Sequence, residues 1–332
     1  MSSEVSTSKR TFDAKGFLNT YAILLILVGF VTVLAIITSG RFMRVDNLLN
    51  VVVQVAPIGI IALGMMFAII TKGIDLSVGA IVGLSAVIAA SLAQERTAAL
   101  PFFENLPALP VIIPILVGLV VGTLVGAITG GLVAIFRIPP FIATLGMMTA
   151  ARGVALIYTG GRPISQLAPG FNWLGQGDFL GIPIPVYLLL LCAGIIWVIL
   201  NRTRFGRHVY AIGGNDQAAR VSGINIDKAQ FYIYALIGTL SGLAGLILAA
   251  RIGSGNPQLG TSIELDAITA TVIGGTSFSG GVGTVWGVIV GALIIGVINN
   301  GLDLMNVSPF MQMVVKGAII VIAIIIDERK NR

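Results

Sequence analysis

Long apolar runs dominate this chain, and short polar stretches separate them. A helix needs roughly 20 apolar residues to cross the hydrocarbon core of a membrane. The runs of about that length cover residues 20–39, 51–71, 77–93, 110–136, 140–159, 183–200, 229–250, 265–279, 284–301 and 308–326. We therefore predict an all-α polytopic membrane protein with about ten transmembrane helices. The run 265–279 is short and rich in glycine, so we expect a partial or broken span there.

Composition agrees with a surface that faces lipid. Of the 332 residues, 56% are hydrophobic and 10% are charged. A soluble domain needs about a quarter of its residues charged to cover its surface. The first apolar run follows basic residues, as the core of a signal peptide does. It is long and has no small-residue cleavage site, however, so we interpret it as an uncleaved span.

The basic residues predict the orientation of the chain. Cytoplasmic loops of membrane proteins carry an excess of Lys and Arg. An even number of spans places both termini on one side, and that side then holds most of the basic residues. We predict cytoplasmic tails at 1–19 and 327–332 around a single transmembrane domain at 20–326. On this interpretation the net charge of +6 comes from the basic cytoplasmic segments, and it does not indicate a protein that binds nucleic acid.

The chain repeats itself over about 51–159 and 229–326. Each half has an acid, then three glycines at four-residue spacing, then a Pro-Phe pair. These are Asp75, Gly122, Gly126, Gly130 and Pro140-Phe141 in the first half, and Asp266, Gly283, Gly287, Gly291 and Pro309-Phe310 in the second. The repeats are five spans apart, and five is odd, so the halves have opposite topology. Inverted repeats are typical of transporters whose pathway opens to either side.

The glycines and the acids at span starts each have two interpretations. Glycines every four residues form one helix stripe, which favours close helix packing; a sliding surface near a pathway is the alternative. The acids Asp75, Glu264 and Asp266 are placed to cap helix starts, where free N–H groups and the helix dipole stabilise a carboxylate. A substrate or ion site is the alternative for them.

Few other residues could carry chemistry. Arg152 and Lys316 fall within spans, where they could reach the interface or pair across helices. No acid or histidine lies in the middle of a clear span, which disfavours a proton-coupled carrier. The chain has no set of metal ligands, no catalytic constellation and no phosphate-binding GxxxxGK[ST] loop. We predict a transport subunit without a cofactor; if ATP drives it, a partner chain binds ATP and Mg.

A punctuated helix is predicted within the loop 201–228. Asn215 is placed as an N-cap, with Asp216 in the first turn and alanines after it. Gly223 stands where a helix often ends on a left-handed residue. A helix of about two turns is marginal in water unless it packs on something. It fits a handle for a soluble motor, and a connector lying on the protein is the alternative.

The chain resembles the permease subunits of bacterial ABC importers for ribose and related monosaccharides along nearly its whole length. The segments that carry the resemblance are Thr71-Lys-Gly-Ile-Asp-Leu-Ser-Val-Gly79, Gly213-Gly-Asn, Ala219-Arg-x-Ser-Gly-Ile224, Glu264-Leu-Asp-Ala267, Gly274-Gly-Thr-Ser277, Gly280-Gly281 and Asn299-Asn-Gly-Leu302. Their order and spacing make the resemblance specific. It implies a fold like that of the vitamin B12 importer permease and a place in the bacterial inner membrane.

The resemblance also implies partners and site residues. A second copy would complete the pathway, a binding protein would deliver the sugar from outside, and a tandem-domain ATPase would drive transport. The implied contacts with the ATPase are Gly213, Gly214, Asn215, Asp216, Ala218, Ala219, Arg220, Ser222 and Gly223. For a neutral sugar, hydroxyl-bearing residues are the expected pathway lining: Thr269, Thr271, Thr276 and Ser277.

Alternatives to a ribose permease remain open from the sequence. The cargo could be another sugar or small polyol of the same group, such as xylose, galactose, inositol or autoinducer-2. A secondary transporter, a membrane enzyme and a scaffold are further alternatives. The absence of acids from the middle of the spans argues against the first of these, and the absence of clustered titratable groups argues against an enzyme.

Overall fold

The fold is that of a computed structural model, which describes residues 14–330, with the side chains of 23–325, 327 and 329. The predicted tail 1–19 lies mostly outside the described residues. Within them the chain forms thirteen α-helices: α1 (Ala14–Ile37), α2 (Val45–Ile70), α3 (Val78–Ala93), α4 (Ile112–Ala134), α5 (Pro140–Thr159), α6 (Pro169–Gln176), α7 (Ile184–Arg202), α8 (Arg204–Gly214), α9 (Asp216–Val221), α10 (Ile226–Ile252), α11 (Ile263–Ile273), α12 (Val285–Leu304) and α13 (Pro309–Lys330).

Ten of these helices correspond to the ten predicted runs, which confirms the all-α polytopic fold class. Six of the described helices are long and apolar enough to cross a membrane, namely α2, α4, α5, α7, α10 and α12. Shorter apolar stretches lie in α1, α3 and α13. The last helix runs on to Lys330, so the predicted tail at 327–332 is a continuation of α13 over most of its length.

The eighth predicted span is only partly helical. Its helix, α11, has 11 residues and at 1.5 Å per residue is about 16 Å long. This is roughly half of the hydrocarbon thickness. The segment 274–284 continues the chain from α11 to α12 without a helix. Gly275, Gly280 and Gly281 have positive φ in this segment, a conformation that a side chain would disfavour.

The two halves pack in the same way, as inverted repeats predict. In the first half α3 packs against α4 and α5, and in the second half α11 packs against α12 and α13. Between the halves, α4 packs on α10, while its counterpart α12 packs on α2. Equivalent helices therefore make equivalent contacts, with α2 to α5 matching α10 to α13. Such reciprocal packing between the two halves is the arrangement expected of a pseudo-twofold transporter.

The core of the molecule surrounds α2, which is apolar on all sides and buried over most of its length. A helix that is hydrophobic all round lies inside a bundle. Polar segments mark the two ends of the bundle. One end carries α8 and α9, and we call it the α9 end. The other carries α6 and the strands β1 (Ile164–Ser165), β2 (Asp178–Phe179), β3 (Ile182–Pro183) and β4 (Ser254–Gly255); β1 pairs with β4 and β2 with β3, both antiparallel.

The repeated glycines lie at close helix contacts. A Cβ atom on Gly122 or Gly126 of α4 would lie 2.8 Å from an α-carbon of α10, those of Gly242 and Gly238 respectively. On Gly130 it would lie 3.0 Å from the α-carbon of Phe231. The glycines of the second half contact a different partner, the C-terminal end of α11. Gly287 lies against Gly274 and Gly291 against Ala270, whereas Gly283 precedes α12 and lies near Ile70.

Candidate functional site

Two sites have the properties of functional surfaces: an exposed short helix at one end of the bundle and a charged cavity toward the other. The first is built on α8, a helix that the sequence interpretation missed within the loop 201–228. Thr203 caps α8, since its Oγ1 accepts a hydrogen bond from the Gly206 amide at 3.2 Å. Tyr210 donates its hydroxyl to the Gly283 carbonyl at 2.7 Å. These contacts attach α8 to the transmembrane helices.

The helix α9 follows directly and has the predicted caps at both ends. Asn215 Oδ1 accepts a hydrogen bond from the Ala218 amide at 2.9 Å. At the other end, the amides of Gly223 and Ile224 donate to the carbonyls of Arg220 and Ala219, each at 3.0 Å. Gly223 has φ +83°. This pair of bonds around a left-handed glycine is a Schellman motif, which stops a helix at a defined residue.

One side of α9 is anchored and the other is exposed. Ala219 is buried in a small apolar cluster with Ile212, Ile226 and Ala229. Val221, two residues further on, is 90% exposed. The helix thus has one side packed on the protein and one side open to solvent.

The residues named as ATPase contacts divide by their burial. Seven of them are exposed: Gly214, Asn215, Asp216, Ala218, Arg220, Ser222 and Gly223. Gly213 and Ala219 are buried, and a Cβ atom on Gly213 would collide with the main chain of Ile70 and Gly281. Gly213 therefore belongs to the attachment of α8 to the bundle, and the assignment of these nine residues to the ATPase contact stays a prediction.

The second site is a cavity of about 340 Å³ toward the α6 end, lined by residues of α2, α10, α11, α12 and α13. At its edge Lys316 Nζ lies 2.9 Å from Asp266 Oδ2, and the two side chains are 24% and 11% exposed. The Asn299 amide donates to the same oxygen at 3.5 Å. The ion pair joins α11 to α13. Asp266 lies in the first turn of α11, as the sequence predicts, and pairs with Lys316 from there.

Asp75 and Arg152, which the sequence also singles out, make hydrogen bonds within the protein. Asp75 is fully buried between α2 and α3, and its Oδ1 accepts hydrogen bonds from the Ser77 amide at 2.8 Å and the Ser77 hydroxyl at 2.5 Å. Burial raises the pKa of Asp75 to about 6. Arg152 donates to the carbonyls of Gly79 at 3.1 Å, Leu259 at 3.0 Å and Pro257, and Glu264 lies near its guanidinium.

Comparison with known proteins identifies the family. Residues 47–324 match the family described as the permease component of the branched-chain amino acid transport system. This is most of the chain. The protein belongs to this permease family.

The permease is also similar to curated sugar permeases along almost its full length. It is 48% identical over 310 residues to the ribose import permease protein RbsC of Bacillus subtilis, covering 93% of this chain and 91% of the relative. It is 41% identical over 312 residues to RbsC of Escherichia coli K12, covering 93% and 92%. The galactose/methyl galactoside import permease protein MglC of Escherichia coli K12 is 41% identical over 317 residues, with 93% of each chain covered. No solved structure matches the chain.

The hydroxyl residues named for the pathway lie inside the permease protomer. All four are buried: Thr269, Thr271, Thr276 and Ser277. Thr269 donates to the Leu265 carbonyl at 2.6 Å, and Thr271 donates to those of Ala267 at 2.7 Å and Ala62 at 3.2 Å. None of the four lines the charged cavity. Thr269 and Thr271 therefore bond to main-chain carbonyls within the bundle, and the assignment of the four residues to a pathway stays a prediction. The sequence could have pointed to the cavity only through Lys316 in a span.

Proposed function

We propose that this protein is the transmembrane subunit of an ATP-driven importer of a monosaccharide, with ribose as the cargo. The observation that supports ribose as the cargo is the 48% identity with a ribose import permease over 93% of the chain. The galactose/methyl galactoside permeases, at 40–41% identity, make galactose the second candidate. The fold agrees with this role, because inverted repeats can expose one pathway to either side of a membrane in turn.

The motor is proposed to be a separate ATPase that docks on α9. The helix is short, capped at both ends and anchored through Ala219, and it presents Val221 and Arg220 to solvent. A rigid element of this kind transmits a displacement better than a flexible loop does. ATP and Mg are proposed to bind to the partner, which in the ribose group is a tandem pair of nucleotide-binding domains on one chain.

The remaining partners follow from the same proposal. A second copy of the permease completes the pathway, and a binding protein delivers the sugar to the α6 end. Both termini and α9 then face the cytoplasm, with the protein in the inner membrane of a bacterium. ATP binding closes the ATPase, moves each α9 and opens the pathway outward; the binding protein releases its sugar, and hydrolysis restores the inward-open state.

Transport in proteoliposomes tests the proposed cargo and motor. The permease is reconstituted with its binding protein and ATPase, and uptake of labelled ribose and galactose is measured with and without internal ATP. We expect ribose uptake that depends on ATP and on the binding protein. Equal uptake in the absence of ATP would overturn the importer assignment, and faster galactose uptake would move the cargo to the second candidate.

Charge reversal on α9 tests the docking surface. Arg220→Glu and Val221→Asp should abolish capture of the ATPase and sugar-dependent ATP hydrolysis. The permease should remain inserted, because both side chains are exposed. Arg162→Glu is the matched control for capture of the ATPase, since Arg162 is an exposed arginine toward the opposite end. Normal ATPase capture by both α9 variants would place the contact elsewhere.

A further inference from the structure

The charged cavity has the size of a small-ligand site. Its volume of about 340 Å³ lies within the range of about 300–1,000 Å³ that is usual for such pockets. Part of its wall is apolar and consists of Pro57, Ile58, Leu248, Leu259 and Ile263. The rest is polar, and the polar side chains come from α2, α10, α11, α12 and α13. Convergence of groups so far apart in the sequence at one cavity is characteristic of ligand sites.

The charges of the lining favour an uncharged ligand. The cavity contains two acids, Asp266 and Asp303, and two bases, Arg251 and Lys316. A cation or an anion placed there would meet as many like charges as opposite ones. A neutral molecule with hydroxyl groups meets no such opposition, and each hydroxyl can both donate and accept a hydrogen bond. The balance of charge therefore selects a polyol or a sugar over an ion.

Several polar groups of the lining have hydrogen-bonding capacity that the protomer does not use. Lys316 Nζ has three protons, and within the described residues it donates to Asp266 Oδ2 alone. Asp266 receives Lys316 and Asn299 on the same oxygen, so its Oδ1 is left for another donor. The side-chain amide of Gln54 makes no hydrogen bond to any described side chain or main-chain group.

We propose that this cavity is a binding station for the sugar inside the permease, in which Gln54, Asp266, Asn299 and Lys316 contact its hydroxyl groups. The apolar wall would face the C–H groups of the ring. The station rests on the proposed function, since it takes the same neutral cargo on its way through the subunit. Its affinity is expected to be low, because a site along a pathway must release what it binds.

Binding to the permease alone tests the station. The protein is placed in nanodiscs without binding protein or ATPase, and ribose is added at millimolar concentration. Saturation-transfer NMR then reports contact between sugar protons and the protein. Gln54→Leu should reduce the signal about tenfold, as expected for the loss of one hydrogen bond to the sugar. The substitution breaks no hydrogen bond of the described protomer, so folding is expected to be unaffected.

Two further variants keep the result interpretable. Asp266→Asn with Lys316→Gln removes both charges and retains polar side chains of similar size; this double variant should fold and lose the ribose signal. Thr149→Val is the matched control, because Thr149 is an exposed hydroxyl residue of α5 that does not line the cavity, and it should bind ribose as the wild type does. Equal signals from the wild type and Gln54→Leu would overturn the proposal.

The outcomes separate this inference from the proposed function. The full complex could show ATP-driven ribose uptake while the permease alone gives no ribose signal. That result would overturn the proposed binding site and leave the importer assignment intact. A ribose signal that depends on Gln54 in a complex that does not transport with ATP would do the reverse. Choline and inorganic phosphate serve as charged probes, and stronger binding of either than of ribose would contradict a site for neutral ligands.

Discussion

Asp75 and Asp266 hold matching positions in the two halves of the molecule, but their surroundings differ. Asp75 is buried before α3 and accepts hydrogen bonds from its own turn, through the amide and hydroxyl of Ser77. Asp266 lies in the first turn of α11, pairs with Lys316 on α13 and lines a cavity. The first acid begins a helix in dry surroundings, whereas the second joins two helices at the edge of a polar space.

The bases of the two halves show the same divergence. In the first half Arg152 of α5 reaches main-chain carbonyls of Gly79, Pro257 and Leu259, so it holds the chain between α10 and α11 against α3. In the second half Lys316 of α13 reaches a carboxylate. The same helices thus pack together in the two halves, while the charged side chains between them make different contacts. The acid and the base meet in the second half, at the edge of the charged cavity.

The ion pair should be the most sensitive feature of the second half. Lys316→Met leaves the buried Asp266 carboxylate without its partner, and we expect the free energy of unfolding to fall by about 3–5 kcal/mol. Thermal unfolding of the purified protein in detergent measures the loss. The double variant with Asp266→Asn should recover most of the stability, because no uncompensated charge remains. An unchanged melting temperature in the single variant would show that the pair is not formed.

The acid of the first half should instead give a pH-dependent stability. The pKa of Asp75 is raised from 3.8 to about 6, so the folded protein holds the proton more tightly than the unfolded chain does. Its contribution is therefore fully present below pH 3.8 and is lost as the pH rises through about 6. The loss amounts to about 3 kcal/mol at neutral pH.

Asp75→Asn should remove this part of the pH profile and leave the protein more stable than the wild type at pH 7. The melting temperatures of the wild type and of Asp75→Asn are compared between pH 4 and 8. Tyr234 of α10 is close enough to interact with the Asp75 carboxylate, so Tyr234→Phe is measured alongside. A wild-type profile that coincides with that of Asp75→Asn would contradict the raised pKa.

Alanine in the glycine stripe should have a smaller effect that differs along one helix. Gly122→Ala places a methyl group 2.8 Å from the Gly242 α-carbon, so α4 and α10 must move apart. We expect a loss of about 2 kcal/mol. Gly131→Ala is the control on the same helix, because a Cβ there meets nothing within 4 Å, and it should be neutral or slightly stabilising. Equal melting temperatures for the two variants would mean that the helices are not in close contact.

Much of the fold could be predicted because lipid imposes strong rules on sequence. A spanning helix must be apolar over a fixed length, so the runs alone located the ten helices. The caps of α9 were also local, since Asn215 and Gly223 act within a few residues of themselves. Helix α8 was missed because it is a mixed polar and apolar helix outside the membrane, where length and hydropathy give little guidance.

The candidate site was the least predictable part. The neighbours of Asp266 along the chain place it at a helix start, where it lies, but they cannot show its pairing with Lys316, which is 50 residues away. Of the four hydroxyl residues expected to line a pathway, Thr269 and Thr271 donate to main-chain carbonyls within the bundle, whereas the buried Thr276 Oγ1 has no hydrogen-bond partner among the described residues. Helical periodicity specifies which residues share a face, and it does not specify which other helix that face will meet.

By itself, the sequence determined the class of the molecule, its ten helices, its two inverted halves and the short capped helix between them. Those features depend on apolar length, charge bias and local capping, all of which act along the chain. Only the tertiary structure decided that α4 packs on α10, that Gly213 is buried, and that Asp266 and Lys316 meet beside a cavity. These are contacts between distant segments, selected by the fit of whole helices, and no stretch of sequence contains them.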